Sequence, residues 1–177
     1  MKLDAKLAAN VGVLTAVSIV LTRFFGVIVP IAGADALRLS FGGEAPIMLA
    51  GVLFGPAGGA LAGVAADLVG FLINSFGGPY HPGLTLSMGL TGLIPGLLLH
   101  SKRNELTVLQ VGLIVLLTDL ITGVLLNTLW LSQMFGGGFF ELLGMRLVAR
   151  LLTVPLYTVT VYWASRAYRF YLAGGSR

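Results

Sequence analysis

The sequence predicts an all-α integral membrane protein of six transmembrane helices, the second and third of them short and broken apart. Three observations carry that expectation. Of the 177 residues, 56% are hydrophobic and only 10% are charged, with a mean hydropathy of +0.94; a water-facing surface on a domain of this size needs about 25% charged residues. Apolar stretches recur along the chain, most of them near the ~20 residues that a hydrocarbon core of about 30 Å requires. Glycine reaches 25 residues, about twice ordinary usage. In so apolar a chain that abundance serves close helix packing, because lipid supplies no hydrophobic drive between helices. Lipid is the main solvent.

The elements follow in order. Residues 7–29 form the first span, too long for a signal-peptide core and without a small-residue cleavage site behind the basic start at Lys2 and Lys6. Residues 30–44 are polar and irregular, with Asp35, Arg38 and Glu44. Residues 46–73 are apolar but carry Gly55-Pro56 in the middle. Proline lacks an N–H and clashes with the preceding turn, so this stretch divides into helices of about 10 and 15 residues. Helices that short tilt, or leave part of the membrane depth to buried loops. Charge placement argues the same way. With six helices, Lys2, Lys6, Lys102, Arg103, Arg166, Arg169 and Arg177 share the cytoplasmic side with both termini; with five, Lys102 and Arg103 would cross over. A Gly-, Pro- and aromatic-rich loop covers 74–82. Spans at 83–100 and 106–131, a Gly-rich loop at 133–140 and a last span at 141–168 complete one transmembrane domain, 1–177.

Small residues recur at four-residue spacing, which places each set on one helix face. Gly51, Gly55, Gly59 and Gly63 form one stripe, Gly58, Ala62, Ala66 and Gly70 another, and Ala8, Gly12 and Ala16 a third. Such stripes serve packing within the bundle or docking of a second membrane subunit. Docking suits Ala8, Gly12 and Ala16 best, because a first helix at the bundle edge is open to a partner.

Ionisable groups in membrane helices cost kilocalories and usually face the interior. Here they are Arg23, Asp67, Asp119, Arg146 and Arg150, with Arg38 and Glu44 in the irregular segment. In the six-helix topology Arg23, Arg38, Glu44 and Arg146 lie toward the non-cytoplasmic end. The loop with Tyr80 and the segment Asn127-Thr128-Leu129-Trp130 lie there too. At about 100° per residue, Asp119, Thr122 and Trp130 fall within about 60° on one face with Asn127 at its edge, while Arg146, Arg150, Thr153 and Tyr157 form a stripe on the last helix. This lining suits a flat, anionic heterocycle: Trp130 and Tyr80 stack on a ring, Asn127 or Asp119 pairs with ring nitrogens, and an arginine forks onto a carboxylate. The same residues also fit an architectural role, with Asp67 and Asp119 paired to helix arginines and Trp130 in the interfacial belt.

Other classes are excluded. Without cysteine there is no disulfide, thiolate metal site or thiol nucleophile. No G-x-S-x-G, H-E-x-x-H or G-x-x-x-x-G-K-[ST] occurs, so the chain is expected to be no enzyme and to hydrolyse no ATP through a P-loop. His81 and His100 are isolated, and no metal is expected. The net charge of +4 comes without a dense basic run, which argues against nucleic acid.

Several segments resemble a known family. Leu37-Arg38-Leu39-Ser40-Phe41-Gly42, Pro46-Ile47-Met48-Leu49-Ala50-Gly51-Val52-Leu53-Phe54-Gly55-Pro56 and Ala66-Asp67-Leu68-Val69-Gly70 are similar to the S components of energy-coupling factor (ECF) vitamin transporters. Gly78-Pro79-Tyr80-His81-Pro82-Gly83-Leu84-Thr85-Leu86-Ser87 and Leu126-Asn127-Thr128-Leu129-Trp130-Leu131 narrow the resemblance to the folate-specific members. It implies a six-helix S-component bundle in a prokaryotic plasma membrane that captures folate tightly from outside. It further implies docking on a membrane coupling subunit and toppling to release the vitamin, with ATP hydrolysed by two partner ATPases and no cofactor in this chain. The family's A-x-x-x-A docking motif reads here Gly12-Val13-Leu14-Thr15-Ala16. Its pterin-pocket positions match Arg23, Tyr80, Asn127, Trp130 and Arg146. The readings left beside it are an S component for pantothenate, riboflavin or a queuosine precursor, and a structural membrane protein without a ligand.

Overall fold

The computed structural model describes residues 5–31, 34–40, 42–75, 78–103, 105–136 and 139–174, without the side chains of 26–31, 34–40, 135, 141, 142, 145 and 171–174. The described residues form the α-helices α1 (Ala5–Phe24), α2 (Ala45–Ile73), α3 (Pro82–Leu99), α4 (Val108–Asp119), α5 (Asn127–Phe135) and α6 (Phe139–Gly174). A π-helical segment, Leu120–Leu126, joins α4 to α5. Among the described residues, five continuous helical stretches are long and apolar enough to cross a membrane, α4 to α5 counting as one.

Gly55 decides the shape of α2. Its φ of 86° and ψ of 175° belong to a region only glycine occupies at ease, and Pro56 follows it without an N–H to continue the helix. A Cβ on Gly59 would lie 2.6 Å from Gly51 Cα, whereas eight residues of unbroken helix separate Cα atoms by about 12 Å. The chain therefore reverses at Gly55. Ala50 then packs with Ala62, and Ile47 with Ala66, the pairing of two antiparallel arms, 45–54 and 56–73. His100 Nδ1 lies 3.0 Å from the Val52 carbonyl, and Arg103 donates to the Leu53 carbonyl at 3.0 Å. These contacts satisfy carbonyls that the broken helix leaves bare.

Both arms close on α3. A Cβ at Gly51 or Gly59 would strike the Gly92 carbonyl oxygen, and one at Gly63 the Met88 carbonyl. Three glycines of the four-residue stripe thus permit backbone-to-backbone contact, and the fourth, Gly55, makes the turn. α1 lies across the two arms through Val11 and Ile19. A core of Ala45, Met48, Val52, Val111, Val115, Tyr157 and Val161 joins the first arm to α4 and α6.

Between α1 and α2 the chain departs from the irregular segment that its polarity suggests. β1 (Gly26–Ile31) and β2 (Ala34–Ser40) pair antiparallel, with a register shift between Val29 and Ile31, where Pro30 has no N–H to give the ladder. The first helix accordingly ends at Phe24, not at residue 29. This hairpin rests against the end of α1. At the opposite end, Leu7 and Phe54 each pack against the cluster of Val11, Ala50 and Ala62, and the Phe54 and Tyr168 rings meet at 5.9 Å.

Candidate functional site

The buried charged groups gather between the hairpin end and the middle of the bundle. On the rim, Arg23 at the last turn of α1 lies 3.7 Å from Asp67 Oδ1 and donates to the Asn74 carbonyl at 2.8 Å. Thr85 gives a 2.6 Å hydrogen bond to the other Asp67 oxygen, and the Tyr80 hydroxyl is 2.9 Å from Thr85 Oγ1. The loop 74–81 is thus tied at both ends to one acid–base pair. Tyr80 keeps its ring against Phe71 at 5.4 Å, and 45% of the residue is exposed.

One step inward sits Trp130. His81 precedes α3 with extended backbone, and its Nδ1 accepts from Gly83 N at 3.1 Å, capping the helix. The His81 ring faces the indole at 5.5 Å. Trp130 donates to Ser87 Oγ at 3.2 Å, and its ring fills the space above Gly83, where a Cβ would collide with it. From Ser87 the polar line continues along α3 to Thr91, which donates to Thr122 at 3.0 Å.

The deepest group is ionic. Arg150 on α6 places Nη1 3.0 Å from Asp119 Oδ1 and 3.8 Å from Glu44 Oε2, so two carboxylates share one guanidinium nitrogen. Arg146, one turn earlier, donates to the Gly123 carbonyl at 2.7 Å. That carbonyl lies within the π-helix, whose i→i+5 pattern widens the turn. Two acids and two arginines balance in charge, which an ionic group inside a membrane requires. Asp119 is 0% exposed. Yet Asp119 Oδ2, Glu44 Oε2, Arg146 Nε, Arg150 Nε, Asn127 Oδ1 and Thr128 Oγ1 are all buried without a hydrogen bond among the described residues.

Of the residues singled out from sequence, Asp119 and Arg146 share this ionic group. Trp130 stands between it and the rim, Asn127 follows the π-helix, and Tyr80 and Arg23 hold the rim. Arg38 lies on β2 opposite Ile28, and its side chain is outside the described residues. The helical-wheel count across 119–130 does not transfer, because seven residues of π-helix intervene. Sequence reasoning put Arg150 on the lining stripe of the last helix and named Glu44 as a charge of the irregular segment, without pairing the two, and it did not single out Thr85, Thr91 or Gly83. For Thr91 a signal existed, since it stands four residues after Ser87 on the same face. Ala8, Gly12 and Ala16 are exposed along α1, and a Cβ on Gly12 would meet nothing within 4 Å. No cluster of three or more metal-ligating residues occurs among the described residues.

Residues 2–162 match the model of the family described as "ECF-type riboflavin transporter, S component". The chain is 32% identical over 148 residues to "Folate transporter FolT" of Clostridium novyi (strain NT), covering 82% of this chain and 80% of that protein. Among solved structures it matches "Crystal structure of FolT bound with folic acid" with a TM-score of 0.77 and 32% identity, over 92% of this chain and 94% of that one. The chain belongs to the S components of ECF-type transporters: it is a multi-pass membrane subunit of a transport system and not an enzyme.

Proposed function

We propose that this chain is the folate-capturing subunit of an ECF-type importer, a single transmembrane domain that takes the vitamin at the hairpin end of the bundle. The observation that carries this reading is the pairing of an indole with a buried, incompletely satisfied ionic group, in a chain that shares 32% identity over nearly its whole length with a protein solved with folic acid. A pterin ring is flat and edged with donors and acceptors, so Trp130 offers it a face while Asp119, Asn127 and Arg146 offer polar partners. Folate's glutamate tail is dianionic. Arg23, and the strand that bears Arg38, stand at the rim where such a tail would leave the interior.

Counting the two arms of α2 as separate membrane helices gives six and returns both termini to one side. Lys6, Lys102, Arg103, Arg166 and Arg169 then share that side, which the distribution of basic residues makes cytoplasmic. The hairpin end faces outward, in a prokaryotic cell membrane. Delivery would come from docking on a transmembrane coupling subunit through the open face of Ala8, Gly12 and Ala16, where small residues allow close helix approach. Energy would come from two ATPase subunits, since this chain carries no nucleotide-binding loop, and no cofactor is needed here.

A thermal-shift series on the detergent-purified chain tests the ligand. A ligand that binds only the folded state raises its stability by RT ln(1 + [L]/Kd), about 2.7 kcal/mol at a hundredfold excess over Kd. Folic acid should raise the melting temperature by several degrees at micromolar concentration, with riboflavin and pantothenate leaving it unchanged. A shift with riboflavin alone would transfer the chain to the flavin branch that its family description names.

A further inference from the structure

One carboxylate oxygen of the ionic group, Glu44 Oε2, is buried without a hydrogen bond among the described residues. Asp119 is wholly enclosed and held by Arg150 at 3.0 Å. Glu44 is held more loosely: its Oε2 stands 3.8 Å from the same nitrogen, makes no hydrogen bond among the described residues, and belongs to a residue only 8% exposed. Its place is significant. Glu44 precedes α2 directly and follows the hairpin strand by four residues, so it lies at the mouth-side edge of the group. A buried acceptor left without a donor is costly, and more so when it is charged. A ligand that brings two N–H donors would recover that cost.

We propose that Glu44 is a specificity-determining residue that selects the 2-amino-4-oxopyrimidine edge of the ligand, an inference that rests on the folate reading above. On that edge the 2-amino N–H and the ring N3–H point the same way with the spacing of a carboxylate's two oxygens, so one carboxylate accepts both. The neighbouring 4-oxo group is an acceptor and suits Arg146 or Arg150, whose Nε atoms are buried and unbonded. An isoalloxazine, or a pteridine-2,4-dione, presents oxo, N–H and oxo along the same edge. Its 2-oxo oxygen would then face the Glu44 carboxylate, acceptor against acceptor, in a site of low dielectric. Glu44 therefore supplies repulsion against flavins as well as attraction for pterins, the two halves of specificity. Sites built on hydrogen bonds reject analogues that lack the matching donor by large factors.

The test is competition calorimetry with folic acid, pterin and pteridine-2,4-dione on the intact detergent-purified chain and on Glu44→Gln, Glu44→Asp and Asp119→Asn. The native chain should prefer pterin to the dione by about a hundredfold or more. Glu44→Gln should lose at least about thirtyfold for pterin while holding the dione or improving it, so that the ratio collapses. Glu44→Asp, with its carboxylate retained, should keep the preference at reduced affinity, and it serves if the glutamine variant does not fold. Equal binding of pterin and dione by the native chain would overturn the assignment. So would an unchanged ratio in Glu44→Gln, or a ratio that collapses only in Asp119→Asn; in either case folic acid still binds and the folate reading stands. Failure of folic acid to bind the native chain at all would remove that reading, and this inference with it.

Discussion

Arg150→Leu should destabilise the bundle by about 3–5 kcal/mol, the usual cost of breaking a buried ion pair from one side. Arg150 is the cation that Asp119 and Glu44 share, at 3.0 and 3.8 Å. Its removal leaves two enclosed carboxylates facing Arg146 alone, with net negative charge where water cannot reach. The variant should extract poorly and melt many degrees below the parent. Adding Asp119→Leu should recover part of the loss, because replacing both partners by apolar groups removes the orphaned charge along with the attraction. Thermal unfolding of parent, single and double variants in one detergent measures this. A single variant that melts with the parent would mean that the three charges do not depend on one another.

Gly63→Leu should be comparably damaging for a different reason. A side chain there meets the Met88 carbonyl carbon at 2.5 Å and the Gly89 nitrogen at 3.0 Å, and backbone cannot turn aside as a flexible side chain can. The second arm of α2 must then separate from α3, in a medium where close approach of small residues is the main source of helix association. Gly12→Leu is the control, since that position opens on empty space. Size-exclusion profiles should show Gly63→Leu aggregated or absent and Gly12→Leu monodisperse. Equal behaviour of the two would contradict the packing described here.

What could be read from residues alone follows the range of the forces involved. The membrane character is a bulk property of composition. The break at Gly55-Pro56 is local chemistry, one residue free to take a positive φ and another unable to donate. Both were legible. The four-residue glycine stripe was legible as close packing, but its partner was not. Only the reversal at Gly55 brings Gly51 and Gly63, on separate arms, onto the same stretch of α3.

The hairpin at 26–40 was hidden because its first strand, Gly-Val-Ile-Val-Pro-Ile, reads as the apolar end of the preceding helix. The π-helix was hidden for a related reason: nothing in Leu-Ile-Thr-Gly-Val-Leu-Leu departs from an ordinary membrane helix, and the carbonyl that Arg146 takes from Gly123 is 23 residues away in sequence. The sharing of Arg150 by Glu44 and Asp119 joins three elements across more than a hundred residues. Sequence spacing named the charges and could not pair them.

The proposed folate site puts the vitamin beside Trp130. The chain has two tryptophans, and the other, Trp163, sits on α6 with 59% of its surface exposed and the Arg166 guanidinium 5.8 Å from its ring. Folic acid should quench the emission of the Trp163→Phe variant strongly and saturably, because Trp130 is then the reporter. In Trp130→Phe the quenching should be far weaker. If Trp163→Phe shows no saturable quenching while folic acid still binds, the ligand is held elsewhere and the site described here is not its site.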